Sequence, residues 1–310
     1  MKIVALAGGV GGARLADGLA QVLPPGNLTV IVNVGDDFEH LGLYICPDLD
    51  TVCYTLSGRA NLDSGWGLCN ESWNALSEFR ILGAEDWFAL GDRDLATHIL
   101  RTYYINQGLK LSEITAKFCN SWDIKTNILP VSDDRVPTII VTQDGKDLTF
   151  QEYFVQKNCE PVVKEFRFEP MGVAKPADGV VNAIIRADYV VICPSNPWVS
   201  IHPILSIPGI LESLESKKVI AVSPIIGGRA VKGPAAKMYS EMGIEPSSFA
   251  VAQSYRNLIQ ALVIDNMDTS QASLINDWGI MTLATNSLMK NRSDRERLAR
   301  EVLGFCASNL

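Results

Sequence analysis

The stretch Gly8-Gly9-Val10-Gly11-Gly12-Ala13-Arg14 constrains this chain most, because four glycines stand between a short apolar run and a helical repeat. Lys2 to Leu6 reads as a strand, and Leu15, Leu19 and Val22 then recur at helical spacing until Pro24-Pro25 stops them. Leu28 to Val32 is a second apolar, β-branched run, closed by Asn33-Val34-Gly35-Asp36-Asp37. Strand, glycine loop, helix and strand make a β-α-β unit of a parallel sheet. Ligands of such sheets bind beyond the carboxyl ends of the strands.

The rest of the chain keeps that rhythm, with one interruption. Asp48 is placed to cap a helix with the inner face Leu49, Val52, Cys53 and Leu56, stopped by Gly58. Helical patterns follow over about 70–82, 95–107 and 111–122. Between Ile128 and Phe168 the texture changes, and Thr138 to Thr142, the Asp144-Gly145 turn and Leu148 to Phe150 predict a β-hairpin. A helix near Gly179–Arg186, a strand at Tyr189–Ile192, another at Val219–Val222 and a last helix from about Ser293 to Leu303 restore the α/β order. The expected fold is therefore α/β: a Rossmann-like, mostly parallel sheet with helices on both faces, plus a smaller inserted α+β region. The corresponding spans are 1–108 and 176–310 for the two parts of the core and 109–175 for an inserted lid or cap.

Composition narrows the function classes. With 27 Lys and Arg against 35 Asp and Glu, the net charge of −8 lacks the footprint of a nucleic-acid binder, so an anionic ligand must meet basic residues locally. The seven cysteines are odd in number and form no Cys-x-x-Cys pair, which fits reduced thiols in a cytoplasmic protein. Glycines crowd the only stretch that could open a signal peptide, and no run of 18 apolar residues occurs, so no membrane association is expected.

The candidate chemical residues fall at predicted strand ends. Gly8, Gly9, Gly11, Gly12 and Arg14 could cradle a phosphate at a helix N-terminus, although the pattern departs from both the dinucleotide and the P-loop motifs and also suits a plain tight turn. Asp36, Asp37 and Asp50 could hold Mg²⁺ that keeps most of its waters and takes phosphate oxygens; solvated turn chemistry is the other reading. Arg93, in Gly91-Asp92-Arg93-Asp94, offers a forked clamp for a carboxylate or phosphate, or a surface ion pair. Ser195 and Asn196 follow a buried strand, where hydroxyl and amide groups can bind a base edge or a phosphate. Gly228, Arg229 and Lys232 make a second anion-binding candidate or a mobile loop. His98 and the six tryptophans are expected to be packing residues.

Taken in order, GGVGGAR from Gly8, NVGDD from Asn33, ICPDLDT from Ile45, GWG from Gly65 with NESWNA from Asn70, GDRDLATH from Gly91, PSNP from Pro194 and SPIIGGRAVKG from Ser223 resemble the CofD/FbiA family of 2-phospho-L-lactate transferases. The resemblance spans at least residues 1–235. It implies a Mg²⁺-dependent transfer in coenzyme F-420 biosynthesis: a guanosine-diphosphate-linked donor gives phospholactate or phosphoenolpyruvate to the ribityl hydroxyl of the deazaflavin Fo, and GMP leaves. By the same resemblance, Asp50 and Arg93 match Fo-binding positions, and Asp36 matches an acid implicated in metal binding or catalysis. The glycine loop and Ser195-Asn196 would face the guanylyl part. GWG and NESWNA lean towards phosphoenolpyruvate, and a homodimer is the default assembly. Two other classes stay open, a nicotinamide-dependent oxidoreductase and a non-catalytic nucleotide or nucleotide-sugar regulator.

Overall fold

The computed structural model describes residues 1–169, 173–231 and 233–310. Seven strands share one sheet: β1 (Ile3–Ala7), β2 (Leu28–Val32), β3 (Asn127–Pro130), β4 (Tyr189–Ile192), β5 (Lys218–Val222), β6 (Ala261–Asp265) and β7 (Met281–Thr285). Their spatial order is β3-β2-β1-β4-β5-β6-β7, and every neighbouring pair is parallel. The first six reproduce the Rossmann order, which reverses between β1 and β4 and opens a crevice above their carboxyl ends. β1 and β6 are buried at every position, so both faces of the sheet are covered.

Register sets the site. Ala7 lies beside Val32, and the Asn33 amide donates to the Ala7 carbonyl at 3.0 Å, so the glycine loop and the Asn33–Asp37 loop leave the sheet at one level. The helix Gly9–Val22 then packs against the helices Pro47–Leu56 and Arg292–Asn309. Its small residues allow that closeness: a Cβ on Gly18 would meet the Arg295 carbonyl oxygen at 2.2 Å.

The inserted span departs from expectation in part. Thr138–Thr142 and Asp147–Thr149 do form the hairpin, and Val163–Phe168 adds a third antiparallel strand on the other side of Thr138–Thr142. Asn127–Pro130, however, is the edge strand of the central sheet, with the helix Leu111–Ser121 packed on it. A four-residue run ending in proline is a poor strand signal, and proline is tolerated there because the edge needs no further partner. A second hairpin, Phe38–His40 with Leu43–Ile45, has no clear signal in the sequence, because Leu41 occupies the left-handed region at φ 50° before Gly42, which is no standard turn signature. Among the described residues, no helix is long and apolar enough to cross a membrane.

Candidate active site

A cavity of about 750 Å³ opens above the carboxyl ends of the sheet. The loops after β1, β2, β4, β5 and β7 all reach it, through Gly9, Asp36, Asn196, Pro224 and Met289 among others. The glycine loop thus borders the cavity, at the point where the strand order reverses.

Each glycine of that loop has its own reason. Gly9 takes φ +60°, while Gly8, Gly11 and Gly12 sit where a Cβ would meet Asp48 Oδ2 at 2.3 Å, the Pro194 carbonyl oxygen at 2.2 Å and Ser195 Oγ at 2.5 Å. The loop therefore nests against Pro194-Ser195 and Asp48. Ser195 is committed to this junction: its hydroxyl donates to the Gly8 carbonyl at 2.8 Å and accepts from the Gly8 amide at 3.1 Å. Asn196 Oδ1 accepts from the Trp198 amide at 3.0 Å, so it caps the turn that follows, although the residue borders the cavity. Arg14 also borders the cavity; its Nη1 donates to the Met289 carbonyl, and burial, with Arg295 nearby, lowers its pKa.

The three carboxylates expected to share a cation, Asp36, Asp37 and Asp50, are not gathered. Asp36 instead faces Asp48, which does not cap its own helix. Asn33 Nδ2 donates to Asp48 Oδ2 at 2.9 Å and to the Val199 carbonyl at 3.0 Å, and the Gly9 amide and Ser200 also hydrogen bond to Asp48. Burial pushes Asp48 up to about 6 against these bonds, and burial with the neighbouring Asp48 and Asp37 raises Asp36 well above the carboxylate range. Gln151, from the inserted span, donates to Asp36 Oδ2 at 3.2 Å. Asp37 turns away from the cavity towards Cys46 and Arg101. Asp50 borders the cavity but is bound by Arg101. Positions 48 and 50 are about 200° apart on a helix, which is why neighbouring acids serve different partners.

Among the described residues, no group of three or more His, Cys, Asp or Glu is arranged as a metal site. The Asp36–Asp48 pair is nonetheless what a hydrated Mg²⁺ uses, one or two carboxylates with the remaining positions left to water and phosphate. Both acids are raised by burial, and Asp36 further by Asp48 beside it, a cost that a divalent cation relieves.

Three expected residues lie elsewhere. Arg93 borders a separate cavity of about 240 Å³; its amide donates to Glu71 and its Nη1 to the Cys69 carbonyl. Gly228 and Arg229 belong to the small hairpin Ile225–Ile226 and Arg229–Ala230 and do not border the large cavity. Lys232 lies outside the described residues. In their place the cavity gains Trp66, Trp87, Phe88, Phe150 and Phe154, aromatic side chains from two distant segments. Phe150 and Phe154 stack at 5.4 Å with 4° between their planes. The alternation Phe150-Gln151, beside a turn, was the available signal for this wall; Ser287, Leu288 and Met289, which also border the cavity, carried none.

Sheet order and cavity together define a Rossmann-like α/β protein with a cavity at its topological switch point, bordered by a glycine-started helix and by Asp36 and Asp48. The sequence profile of the 2-phospho-L-lactate transferase CofD family matches residues 3–304, and the chain belongs to that family. It is 41% identical over 312 residues to the phosphoenolpyruvate transferase of Streptomyces coelicolor, covering 98% of this chain and 97% of that one. It is 38% identical over 306 residues to the 2-phospho-L-lactate transferase of Methanococcoides burtonii, covering 99% of this chain and all (100%) of that one. A crystal structure of a Bacillus halodurans protein of the upf0052 family shares the fold, with TM-score 0.62, 16% identity and coverage of 97% and 98%.

Proposed function

We propose that this CofD-family transferase acts in coenzyme F-420 biosynthesis, moving the phosphoester of a three-carbon acid from a guanosine-diphosphate-linked donor to the terminal ribityl hydroxyl of Fo, with release of GMP. The observation that carries this reading is one cavity that joins a phosphate-type glycine loop and the Asp36–Asp48 pair to an aromatic wall. Its volume is within the range of small-molecule sites.

The backbone N–H groups that open the helix Gly9–Val22 and the Arg14 guanidinium receive the donor's phosphates. Asp36 and Asp48 would hold Mg²⁺, which when bound would supply charge neutralisation at the diphosphate. Gln151 and Asn33 keep those two carboxylates in place. Trp66, Trp87, Phe88 and Phe150 give the flat deazaflavin apolar contact and exclude water. Asp50 accepts the proton of the attacking hydroxyl. The new O–P bond forms at the donor phosphorus as the bond to GMP breaks, so the transfer depends on positioning and charge rather than on a covalent enzyme intermediate. Phosphoenolpyruvate is the proposed acid, on the GWG and NESWNA segments, and a homodimer the proposed assembly.

Mass spectrometry of a reaction holding the protein, Mg²⁺, Fo and the phospholactyl, phosphoenolpyruvyl and phosphoglyceryl guanylyl donors tests this. The expected result is an Fo phosphoester with matching GMP, formed first from the phosphoenolpyruvyl donor. Unchanged Fo and donors beside saturable guanine-nucleotide binding would overturn it in favour of a nucleotide-binding regulator.

A further inference from the structure

Arg101, in the helix Asp92–Asn106, heads the fully buried side chains by size, at 1% exposure. A buried guanidinium is costly unless its donors and charge are matched. Here Nη2 donates to Asp50 Oδ1, Nη1 lies 3.3 Å from the Tyr44 carbonyl oxygen and 3.1 Å from His98 Nδ1, and the Phe118 ring centroid is 5.9 Å from Cζ. Arginine has no acceptor, so His98 Nδ1 accepts. The ring proton then sits on Nε2, facing Asp94 Oδ1 at 3.4 Å, an oxygen that also accepts from Tyr54 Oη at 2.6 Å.

This chain of contacts decides the state of Asp50. Its Oδ1 is taken by Arg101, while Oδ2 has no hydrogen-bond partner among the described residues and stands 3.7 Å from a His98 nitrogen that is itself an acceptor. This oxygen is itself buried, on a residue that borders the cavity, so it lacks the donor that a buried carboxylate requires, and a bound ligand can supply one. We propose that Arg101 is a positioning residue for the transfer, fixing Asp50 through Oδ1 so that Oδ2 is left to the hydroxyl of the acceptor substrate. The proposal rests on the transferase reading and deepens it. It separates two duties: Asp36 and Asp48 meet the charge of the donor, and Asp50, already neutralised by Arg101, meets the acceptor. Arg101 touches neither substrate and acts through Asp50.

A double-mutant cycle of Asp50→Asn and Arg101→Lys, read as kcat and as separate KM values for Fo and the guanylyl donor, tests this. Lysine keeps the charge and loses the fork. The expected result for Arg101→Lys is a kcat at least tenfold lower and a raised KM for Fo, with the donor KM within twofold of wild type. Added to Asp50→Asn, Arg101→Lys should change the rate by less than twofold. A kcat and Fo KM within twofold of wild type in Arg101→Lys, or two losses that multiply in the double variant, would overturn the proposal. Guanine-nucleotide binding reports the fold, and if Arg101→Lys loses it, the same criteria are applied to Arg101→Gln. Absence of transfer by the wild type would instead overturn the functional reading and this proposal with it.

Discussion

Asp48 and Asp50 stand two residues apart and answer to opposite demands. Asp48 is drawn to the glycine loop by Asn33, the Gly9 amide and Ser200, whereas Asp50 is drawn the other way by Arg101. Burial holds Asp48 at about 6, above its value in the unfolded chain. A raised acid stabilises the fold when protonated, so its contribution is complete below about pH 4 and is lost as pH rises through about 6. In the presence of a chelator, the thermal midpoint of the wild type should therefore fall between about pH 4 and about pH 6, and fall less in Asp48→Asn. Equal slopes in the two proteins would assign the titration to other groups. The sequence shows that acids cluster after β2 and at the next helix, and Asp36 borders the cavity. It does not show which acid pairs with which, because Asp48 answers to Asn33, whose amide is itself held by the distant Val199 carbonyl, and Asp50 to Arg101.

Helices at the rim support one another through their ends. The Asp92 carboxylate accepts from the Asn74 and Ala75 amides at the start of the helix Asn74–Ile81, while Glu71, just before that helix, accepts from the Arg93 and Asp94 amides at the start of the helix Asp92–Asn106. The hydrogen bonds from Ser72, Ala75 and Asn74 hold Asp92 down at about 2. A side chain on Gly91 would collide with Glu71, at 2.3 Å from its Cδ, so the exchange also demands that glycine. Glu71→Ala should cost about 1 kcal/mol, the usual worth of an N-cap, measured by urea denaturation. A change below about 0.3 kcal/mol would mean that water satisfies these amides as well. The motif GDRD was legible as a helix start, yet the partner of each acid was not, since both caps come from outside the helix they serve. Strands followed the same division: β4 was bounded correctly from its apolar run, whereas β7, partly exposed with the pattern Met281-Thr282-Leu283-Ala284-Thr285, gave no such contrast.

On the scale of the molecule, the first and last helices are fastened together. Arg295 Nη1 meets Asp17 Oδ2 at 3.1 Å, with Asp17 only 4% exposed, and the close approach at Gly18 leaves no room for water between them. Arg295→Ala leaves the buried Asp17 to Gln21, 3.0 Å away, and the more distant Arg292, and should destabilise the protein by about 1–3 kcal/mol in chemical denaturation. A loss of less than about 1 kcal/mol would show that the packing alone holds the helices. Nothing in the two local sequences announces this pair, because the contact joins residues 278 positions apart. The α/β fold was nevertheless legible, since the apolar runs of β1, β2, β4 and β5, stopped by glycine or by proline, specify a parallel sheet wherever their partners lie.

The position of β1 at the centre of that sheet also governs how the chain is made. β2 reaches β1 soon after it is synthesised, but β4, which takes the other side, begins only at Tyr189. At cellular rates of synthesis the open side of β1 waits roughly 10–30 s for its neighbour, an apolar ladder with its backbone groups unclaimed. Such an edge invites strands from other nascent chains. Until Tyr189–Ile192 has been made, the order of synthesis thus leaves the half-made chain with its central strand as an edge.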